Sequence, residues 1–204
     1  VGISQILPGL TLARLLKAKY PNLHITLGGP IFSVNTKQLL NHPEFFDEFC
    51  HSIITFEGEE PLHRLLTSLK KGAAFEEVPN LLFCEDKKVK LNQERVELRF
   101  EKLPSPTFDG LPIDLYLSPY PILPVLQSRG CYWGKCTFCT HSFIYGHRYG
   151  KQSTEQIADE LQVLSEKYKT KYFTFSDEAV SPHSLNDVSE EIIKRDLDIK
   201  SLSL

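Results

Sequence analysis

Short apolar runs alternate with amphipathic segments over the first part of the chain. Apolar runs of strand length occupy residues 1–4, 23–27 and 52–56, and leucines recur at helical spacing between and after them. This alternation predicts an α/β fold in which helices cover a parallel, doubly wound sheet. The predicted apolar faces of the two helices are Leu12, Leu15, Leu16 and Tyr20, and then Leu62, Leu65, Leu66 and Leu69.

The middle of the chain changes character. Residues 81–84 and 89–91 are apolar runs around the polar turn 85–88, which predicts a β-hairpin. Residues 104–124 then hold six of the 13 prolines. Because proline lacks a backbone donor and fixes its own φ, we expect an extended linker there.

The strand and helix alternation returns after the linker. Residues 122–127 and 171–175 have the pattern of strands, and a helix is expected near 184–195. Ser153 with Gln156 forms a capping box that predicts the start of a further helix. Its predicted buried face comprises Ile157, Leu161, Leu164 and Tyr168.

These patterns divide the chain into three parts: 1–78, 79–121 and 122–204.

The chain contains no methionine, opens in the predicted strand 1–4 and closes in an alternating run at 199–204. We therefore expect a fragment of a longer protein with two artificial ends.

Composition and charge limit the classes of partner. The chain is 41% hydrophobic and 24% charged, with a net charge of -3 and no apolar run of membrane-spanning length. A nucleic-acid or anionic membrane partner is not expected, because such binding needs clustered Lys and Arg. The amino terminus does not resemble a secretory signal, so a cytoplasmic location is the default. Cys50 and Cys84 lie in apolar surroundings and are predicted to be buried thiols.

The remaining three cysteines are the main chemical feature. Cys131, Cys136 and Cys139 form a C-x4-C-x2-C cluster within nine residues, directly after a predicted strand. Thiolates are soft ligands that suit iron-sulfur clusters, zinc or copper(I). Three ligands from one loop leave one coordination position free, and in a cubane cluster that position is an iron able to bind substrate.

Two other interpretations of the cysteines remain open at this point. His141 would complete a Cys3His zinc site, although structural zinc usually draws its ligands from two separated pairs. A redox pair of Cys136 with Cys139 would leave Cys131 unexplained.

The segment SRGCYWGKCTFC resembles the cluster-binding loop of radical S-adenosylmethionine (SAM) enzymes that carry an N-terminal cobalamin-binding domain. Flanking segments share the resemblance: the Gly-Gly-Pro step after a strand, the Gly-Glu-Glu helix start, the proline-rich approach and FSDEAVSP. The implied fold is a partial Rossmann-like (flavodoxin-like) cobalamin-binding domain followed by the first βα units of a radical SAM partial TIM barrel.

The resemblance also implies roles for particular residues. The three cysteines would hold a 4Fe-4S cluster whose open iron chelates SAM. Phe138 would lie against the adenine, the alternative being ordinary core packing. Asp177 and Glu178 would contact the methionyl amino group, the alternative being a solvated helix N-terminus. Ser4, Gly28 and Gly29 would line the cobalamin site, although a tight turn after the strand is the favoured explanation for any single glycine.

Two departures from the family pattern are visible. The commonest spacing is C-x3-C-x2-C, so this loop has one extra residue, which Gly134 could absorb with a permissive φ. The Asp-x-His-x-x-Gly motif that supplies the lower cobalt ligand does not occur in the sequence. Cobalamin binding is therefore implied by the resemblance alone.

The resulting prediction is a radical SAM enzyme with a 4Fe-4S cluster and cobalamin. It would generate a 5′-deoxyadenosyl radical or transfer a methyl group to an unactivated carbon of a small-molecule or peptide substrate, with an electron donor such as flavodoxin or ferredoxin. One alternative is a zinc-stabilised α/β binding module without catalysis. A second is a radical SAM enzyme that works without cobalamin and docks its substrate on the front domain.

Overall fold

The computed structural model describes residues 2–92, 100–145 and 148–201. It divides the chain into two compact units, Val1–Leu98 and Arg99–Leu204. Among the described residues, no helix combines the length and the apolar character that crossing a bilayer requires.

The first unit is a mixed four-stranded sheet with helices. Its strand order is β1-β2-β3-β4, with β1 and β2 parallel and the other neighbours antiparallel. Its helices are α1 (Ile6–Lys19), α2 (Pro30–Val34), α3 (Thr36–Leu39), α4 (Pro43–Glu48) and α5 (Glu59–Lys71), and its strands are β1 (Thr26–Gly28), β2 (Ser52–Ile54), β3 (Leu81–Glu85) and β4 (Lys88–Leu91).

The predicted hairpin is confirmed as β3 and β4. Asp86 and Lys87 at its tip have φ of 49° and 58°, the backbone that a two-residue type I′ turn requires. Because β3 hydrogen-bonds to β2, the hairpin belongs to the sheet of the first unit. The two units therefore do not follow the predicted division at residue 78.

The predicted opening strand is wrong. Residues Ile3–Gln5 form a 3-10 helix that leads directly into α1, and the Gln5 N–H donates to the Gly2 carbonyl at 3.0 Å. Val1 lies outside the described residues. An apolar run of four residues fits a helix start as well as a strand, so periodicity could not separate the two.

The predicted apolar face of α1 is also mostly wrong. Leu12 and Leu15 are exposed, at 57% and 62%, and so is Tyr20. Lys17 fixes the rotation of the helix, since its Nζ donates to the carbonyls of Phe46 (2.5 Å) and Cys50 (3.2 Å). The residues that pack on the core are Ile6, Leu10, Ala13 and Leu16.

Helix α5 buries a narrower face than predicted. Of the four leucines only Leu65 is fully buried, together with Pro61, while Leu62, Leu66 and Leu69 remain exposed. Cys50 is a buried thiol, as predicted, and burial raises its pKa to about 12. Cys84 is only partly buried.

The second unit contains a parallel sheet of order β5-β8-β9 and an antiparallel ribbon of β6 and β7. Its core is formed by Leu123, Val125, Ile157, Leu161, Leu164, Phe173 and Val188. Its elements are β5 (Ile122–Val125), β6 (Ser128–Gly130), α6 (His141–Ile144), β7 (Tyr149–Lys151), α7 (Thr154–Tyr168), β8 (Tyr172–Phe175), α8 (Pro182–Lys194) and β9 (Lys200–Ser201).

Helix α7 and the closing strand agree with the sequence patterns. Ser153 and Gln156 form the predicted capping box. The predicted inner face of α7 is buried in the core, with Tyr168 packed at its edge. The closing strand is confirmed for Lys200–Ser201, whereas residues 202–204 lie outside the described part.

The proline-rich segment is irregular, as predicted, but it is more than a linker. It includes a 3-10 helix at Ile113–Leu115, and Phe108 and Ile113 pack against the core of the second unit. The Phe108 N–H donates to the Tyr168 hydroxyl at 2.7 Å. Pro124 lies inside β5, where it is tolerated because β5 is an edge strand.

Candidate functional site

The cysteine loop starts where the parallel strands of the second unit end. Strand β6 leads into Cys131, and its antiparallel partner β7 closes the base of the loop. Gly130 ends β6 with φ of 88°, and a Cβ there would lie 2.1 Å from the Arg148 carbonyl oxygen. Only glycine fits this close approach of two backbones.

The loop itself presents three free thiols. Cys136 is exposed and Cys131 and Cys139 are partly exposed, and the Cys139 N–H donates to the Cys136 carbonyl at 3.2 Å. Gly134 has φ of 58°, a left-handed backbone that glycine permits, so it can absorb the extra residue of the loop as expected. Three accessible thiols on one loop fit the donor set of an iron-sulfur cluster.

The side chains do not yet converge on a metal. Within the described ranges, no group of three His, Cys, Asp or Glu side chains is arranged to hold a metal ion. The zinc interpretation is not supported by the position of His141. Its Nδ1 lies 4.0 Å from Glu178 and its ring stacks on Tyr145, so its described contacts are with these residues. The donor chemistry, rather than an assembled geometry, therefore supports a metal centre at this loop.

Four aromatic side chains close to the cysteines in sequence are exposed. Phe138 is 88% exposed, so the alternative of core packing is wrong and the ring is available to a ligand. Tyr132, Trp133 and Phe143 are also exposed, and the Lys135 Nζ lies 5.2 Å from the Trp133 ring centroid. Sequence reasoning assigned no role to these three rings, although Tyr132 and Trp133 belong to the loop segment that carries the resemblance.

Asp177 follows β8, and its carboxylate is hydrogen-bonded to the chain where β5 connects to β6. Its carboxylate accepts the Gln127 N–H at 3.2 Å and both the N–H and the hydroxyl of Ser128 at 2.5 Å. Helix α8 begins five residues later and is capped by Ser181. Asp177 is therefore not a solvated helix N-terminus.

Gln127, four residues before Cys131, is a buried polar residue that sequence reasoning did not single out. Its side chain is 2% exposed, and Nε2 donates to the carbonyl (3.1 Å) and hydroxyl (2.5 Å) of Ser184 in α8. Its Oε1 is buried without a hydrogen-bond partner among the described residues. A polar residue at the end of an apolar run gave no periodic signal for this role.

Glu178 contacts the chain beyond the cysteines. Its Oε1 accepts the Tyr145 hydroxyl at 2.6 Å, and the same oxygen lies 4.0 Å from the His141 Nδ1. The side chain is about one-fifth exposed, at 21%. Asp177 and Glu178 thus lie at the same strand end, as predicted, and both are occupied by contacts within the second unit.

In the first unit, Gly28 and Gly29 lie at the carboxyl end of β1, beside the parallel strand β2. Gly29 has φ of 114°, which favours glycine, and begins α2. Ser33 is buried; its hydroxyl donates to the Gly29 carbonyl (3.3 Å) and accepts the Phe56 N–H (2.7 Å). Ser4 lies exposed in the first 3-10 helix, so no described strand precedes it.

Comparison with known proteins identifies two curated relatives, and no protein-family model matches the chain. An uncharacterized methyltransferase of Pyrococcus horikoshii is 28% identical over 96% of this chain. The hopanoid C-3 methylase of Methylococcus capsulatus is 29% identical over 77% of it. The alignments span 42% and 30% of the lengths of these two relatives, respectively.

Two solved enzymes share the fold. The cobalamin-dependent SAM radical enzyme OxsB, with aqua-cobalamin and SAM bound, matches 98% of this chain and 29% of its own with a TM-score of 0.71 and 22% identity. The radical SAM methyltransferase TsrM of Kitasatospora setae, with tryptophan and a SAM analogue, matches 91% of this chain and 36% of its own, with a TM-score of 0.62 and 17% identity. A second TsrM structure contains cobalamin and a [4Fe-4S] cluster.

These likenesses confirm the predicted fold class and the predicted resemblance. The chain has the α/β fold of the corresponding part of cobalamin-dependent radical SAM enzymes, and its curated relatives are methyltransferases.

Proposed function

We propose that this chain is part of a cobalamin-dependent radical SAM methyltransferase. The observation that carries the proposal is the loop of three free, accessible thiols at the carboxyl end of a parallel strand. Barrel enzymes place their chemistry at that end of the strands. The similarity to OxsB, TsrM and two methyltransferases supports the same assignment.

In this proposal Cys131, Cys136 and Cys139 hold a 4Fe-4S cluster. When bound there, such a cluster would supply the one electron, received from an external protein donor such as flavodoxin or ferredoxin, that cleaves the SAM sulfonium to methionine and a 5′-deoxyadenosyl radical. The exposed ring of Phe138 packs on the adenine, which excludes water from one face of the base. Five unpaired cysteines suit a reducing cytoplasm.

The first unit provides part of a cobalamin site. Open α/β sheets bind ligands at the carboxyl ends of their strands, where Gly28 and Gly29 let a ligand approach the backbone. OxsB and TsrM both hold cobalamin in solved structures. The missing Asp-x-His-x-x-Gly motif means that no residue of this chain is assigned as the lower cobalt ligand.

Methyl transfer to a small molecule or a peptide is the proposed reaction. TsrM was solved with tryptophan as substrate, and both curated relatives carry methyltransferase or methylase names. Transfer to an unactivated carbon would need two SAM molecules. One would be cleaved to the radical, which takes the hydrogen atom and leaves as 5′-deoxyadenosine, and the other would supply the methyl group that passes through cobalamin.

The test is anaerobic reconstitution of the full-length protein with iron and sulfide. We expect about four irons per protein, an iron-sulfur absorption band and SAM cleavage after reduction, with all three lost in Cys136→Ala. Cys84→Ala is the matched control, since this partly buried thiol lies outside the loop and its loss leaves the iron content unchanged.

Full iron content in Cys136→Ala would contradict the assignment. Zinc without iron or sulfide after anaerobic purification would favour the binding module instead. Iron and SAM cleavage without cobalamin retention would favour an enzyme that works without cobalamin.

A further inference from the structure

The two acidic residues after β8 hold the chain on both sides of the cysteine loop. We propose that Asp177 and Glu178 form a carboxylate clamp that positions the loop bearing Cys131, Cys136 and Cys139. The inference deepens the proposed function and rests on it, because positioning has a purpose only if the thiols gather around a cluster. It changes the role of both residues from SAM contacts to positioning residues.

The Asp177 side of the clamp fixes the entry to the loop. Ser128 is fully buried and lies three residues before Cys131. Its N–H and hydroxyl both donate to Asp177 Oδ1 at 2.5 Å, while the Gln127 N–H donates to Oδ2 at 3.2 Å. Hydrogen bonds to an ionised carboxylate are stronger than neutral ones. Both oxygens of Asp177 are therefore engaged by the chain just before the first cysteine.

The Glu178 side fixes the exit. Tyr145 directly follows α6, a helix of one turn that begins two residues after Cys139. So short a helix gains little stability of its own and needs a tertiary contact. The Tyr145 hydroxyl donates to Glu178 at 2.6 Å, and the Tyr145 ring stacks on His141 with centroids 6.3 Å apart. The turn after the last cysteine is therefore tied to the same two-residue segment.

Anchoring both flanks reduces the conformational freedom that the loop must lose when its thiols converge. Closing a loop has an entropic cost. A loop whose two ends are already fixed loses less conformational entropy when it binds a metal. In the part of the chain that the structure describes, no three ligating side chains converge. The loop must therefore lose conformational freedom when it binds a cluster. The clamp should therefore slow the loss of a bound cluster.

Amide hydrogen exchange tests the Asp177 side without any cluster. In the cluster-free full-length protein, Asp177→Asn replaces one carboxylate oxygen with an amide nitrogen that cannot accept, so either the Gln127 N–H or the Ser128 N–H loses its acceptor. We expect exchange at Gln127 or at Ser128 to be about tenfold faster or more, the size of a lost bond to a charged group. Asp198→Asn is the control, since Asp198 is exposed, precedes β9 and pairs with Lys171 only at the surface.

Iron release to a chelator tests the whole clamp in the reconstituted protein. We expect release to be about tenfold faster in Asp177→Asn and faster in Tyr145→Phe, which deletes the hydroxyl that Glu178 binds. Glu178→Gln keeps an acceptor oxygen for Tyr145 and should remain near the wild-type rate, whereas Glu178→Ala should not. Asp198→Asn should release iron at the wild-type rate.

Unchanged exchange at Gln127 and Ser128 in Asp177→Asn would overturn the clamp. So would weaker SAM binding with normal exchange and normal iron release, because that pattern marks a ligand contact. If Asp177→Asn does not fold, Ser128→Ala removes only the hydroxyl bond, and the same two rates decide. If the wild type takes up no iron, the proposed function is wrong. Amide exchange in the cluster-free protein still tests whether Asp177 holds Gln127 and Ser128.

Discussion

The parallel strands end differently in the two units. In the first unit, a neutral hydroxyl joins the ends of β1 and β2, since Ser33 bonds both the Gly29 carbonyl and the Phe56 N–H. In the second unit, a carboxylate joins the end of β8 to the chain after β5, through three hydrogen bonds to Asp177. The first strand end exposes backbone and glycine, which suits close approach of a large ligand. The second strand end holds the cysteine loop through a carboxylate, which suits metal-ligating side chains that must converge on one centre.

The largest expected effect comes from a substitution that disrupts the backbone at the end of β6, where the cysteine loop begins. Gly130→Ala places a Cβ 2.1 Å from the Arg148 carbonyl oxygen and also strains a φ of 88°. We expect a loss of about 4 kcal/mol in the free energy of unfolding, or no folded second unit at all. Urea denaturation of the intact protein measures it.

Gly110→Ala is the matched control for that change. Gly110 also has a positive φ, of 80°, but a Cβ there meets nothing within 4 Å. The control should lose only about 1 kcal/mol, the cost of a left-handed backbone. Equal losses in the two variants would show that the approach of β6 to Arg148 does not constrain the loop.

A smaller effect probes the neutral strand end of the first unit. Ser33→Ala removes a buried hydroxyl that accepts the part-buried Phe56 N–H and donates to the Gly29 carbonyl, so we expect a loss of about 2 kcal/mol in the free energy of unfolding. Thr67→Ala is the control, because its exposed hydroxyl bonds only the His63 carbonyl of its own helix. The control should change stability by less than about 0.5 kcal/mol. Similar values for both variants would mean that the hydroxyl does not join the two strands.

The smallest effect concerns the amino ends of β1 and β2, where His24 and His51 lie with ring centroids 5.2 Å apart. Burial, and then the charge of His51, lower the pKa of His24 to about 4. Burial also lowers the pKa of His51. The folded state therefore holds His24 neutral, and its stability is full above the ordinary pKa and falls as pH decreases from about 6.5 toward 4.

Urea midpoints at pH 7 and pH 5 check this pH dependence. Allowing for the partial exposure of the ring, we expect about 1 kcal/mol of stability to be lost between these values. His24→Gln should reduce the loss, and His63→Gln, an exposed position on α5, should not. A wild type that is equally stable at both values would contradict the assignment.

Local signals predicted several elements well. The capping box and inner face of α7, the hairpin and the turn at its tip, and the left-handed Gly134 all depend on residues close together in sequence. The cysteine spacing likewise identifies the loop from residues close together in the chain. The resemblance to radical SAM enzymes followed from that loop, and the fold comparison confirms it.

The rotation of α1 could not be read in the same way. This helix carries leucines on more than one face, so several apolar stripes fit the period. Anchoring of Lys17 to the carbonyls of Phe46 and Cys50 selects the face of α1 that is buried. That choice depends on residues about thirty positions away.

The sequence by itself determined the short-range features of this protein: where helices start, where strands turn back and which thiols share a loop. Only the tertiary structure decided what Asp177, Glu178 and Gln127 bind, since their partners lie 33 to 57 residues away in the chain. Hydrogen-bonding groups of that separation are brought together by the tertiary fold and not by local structure. Periodicity and spacing therefore carry no record of which carboxylate will meet which donor.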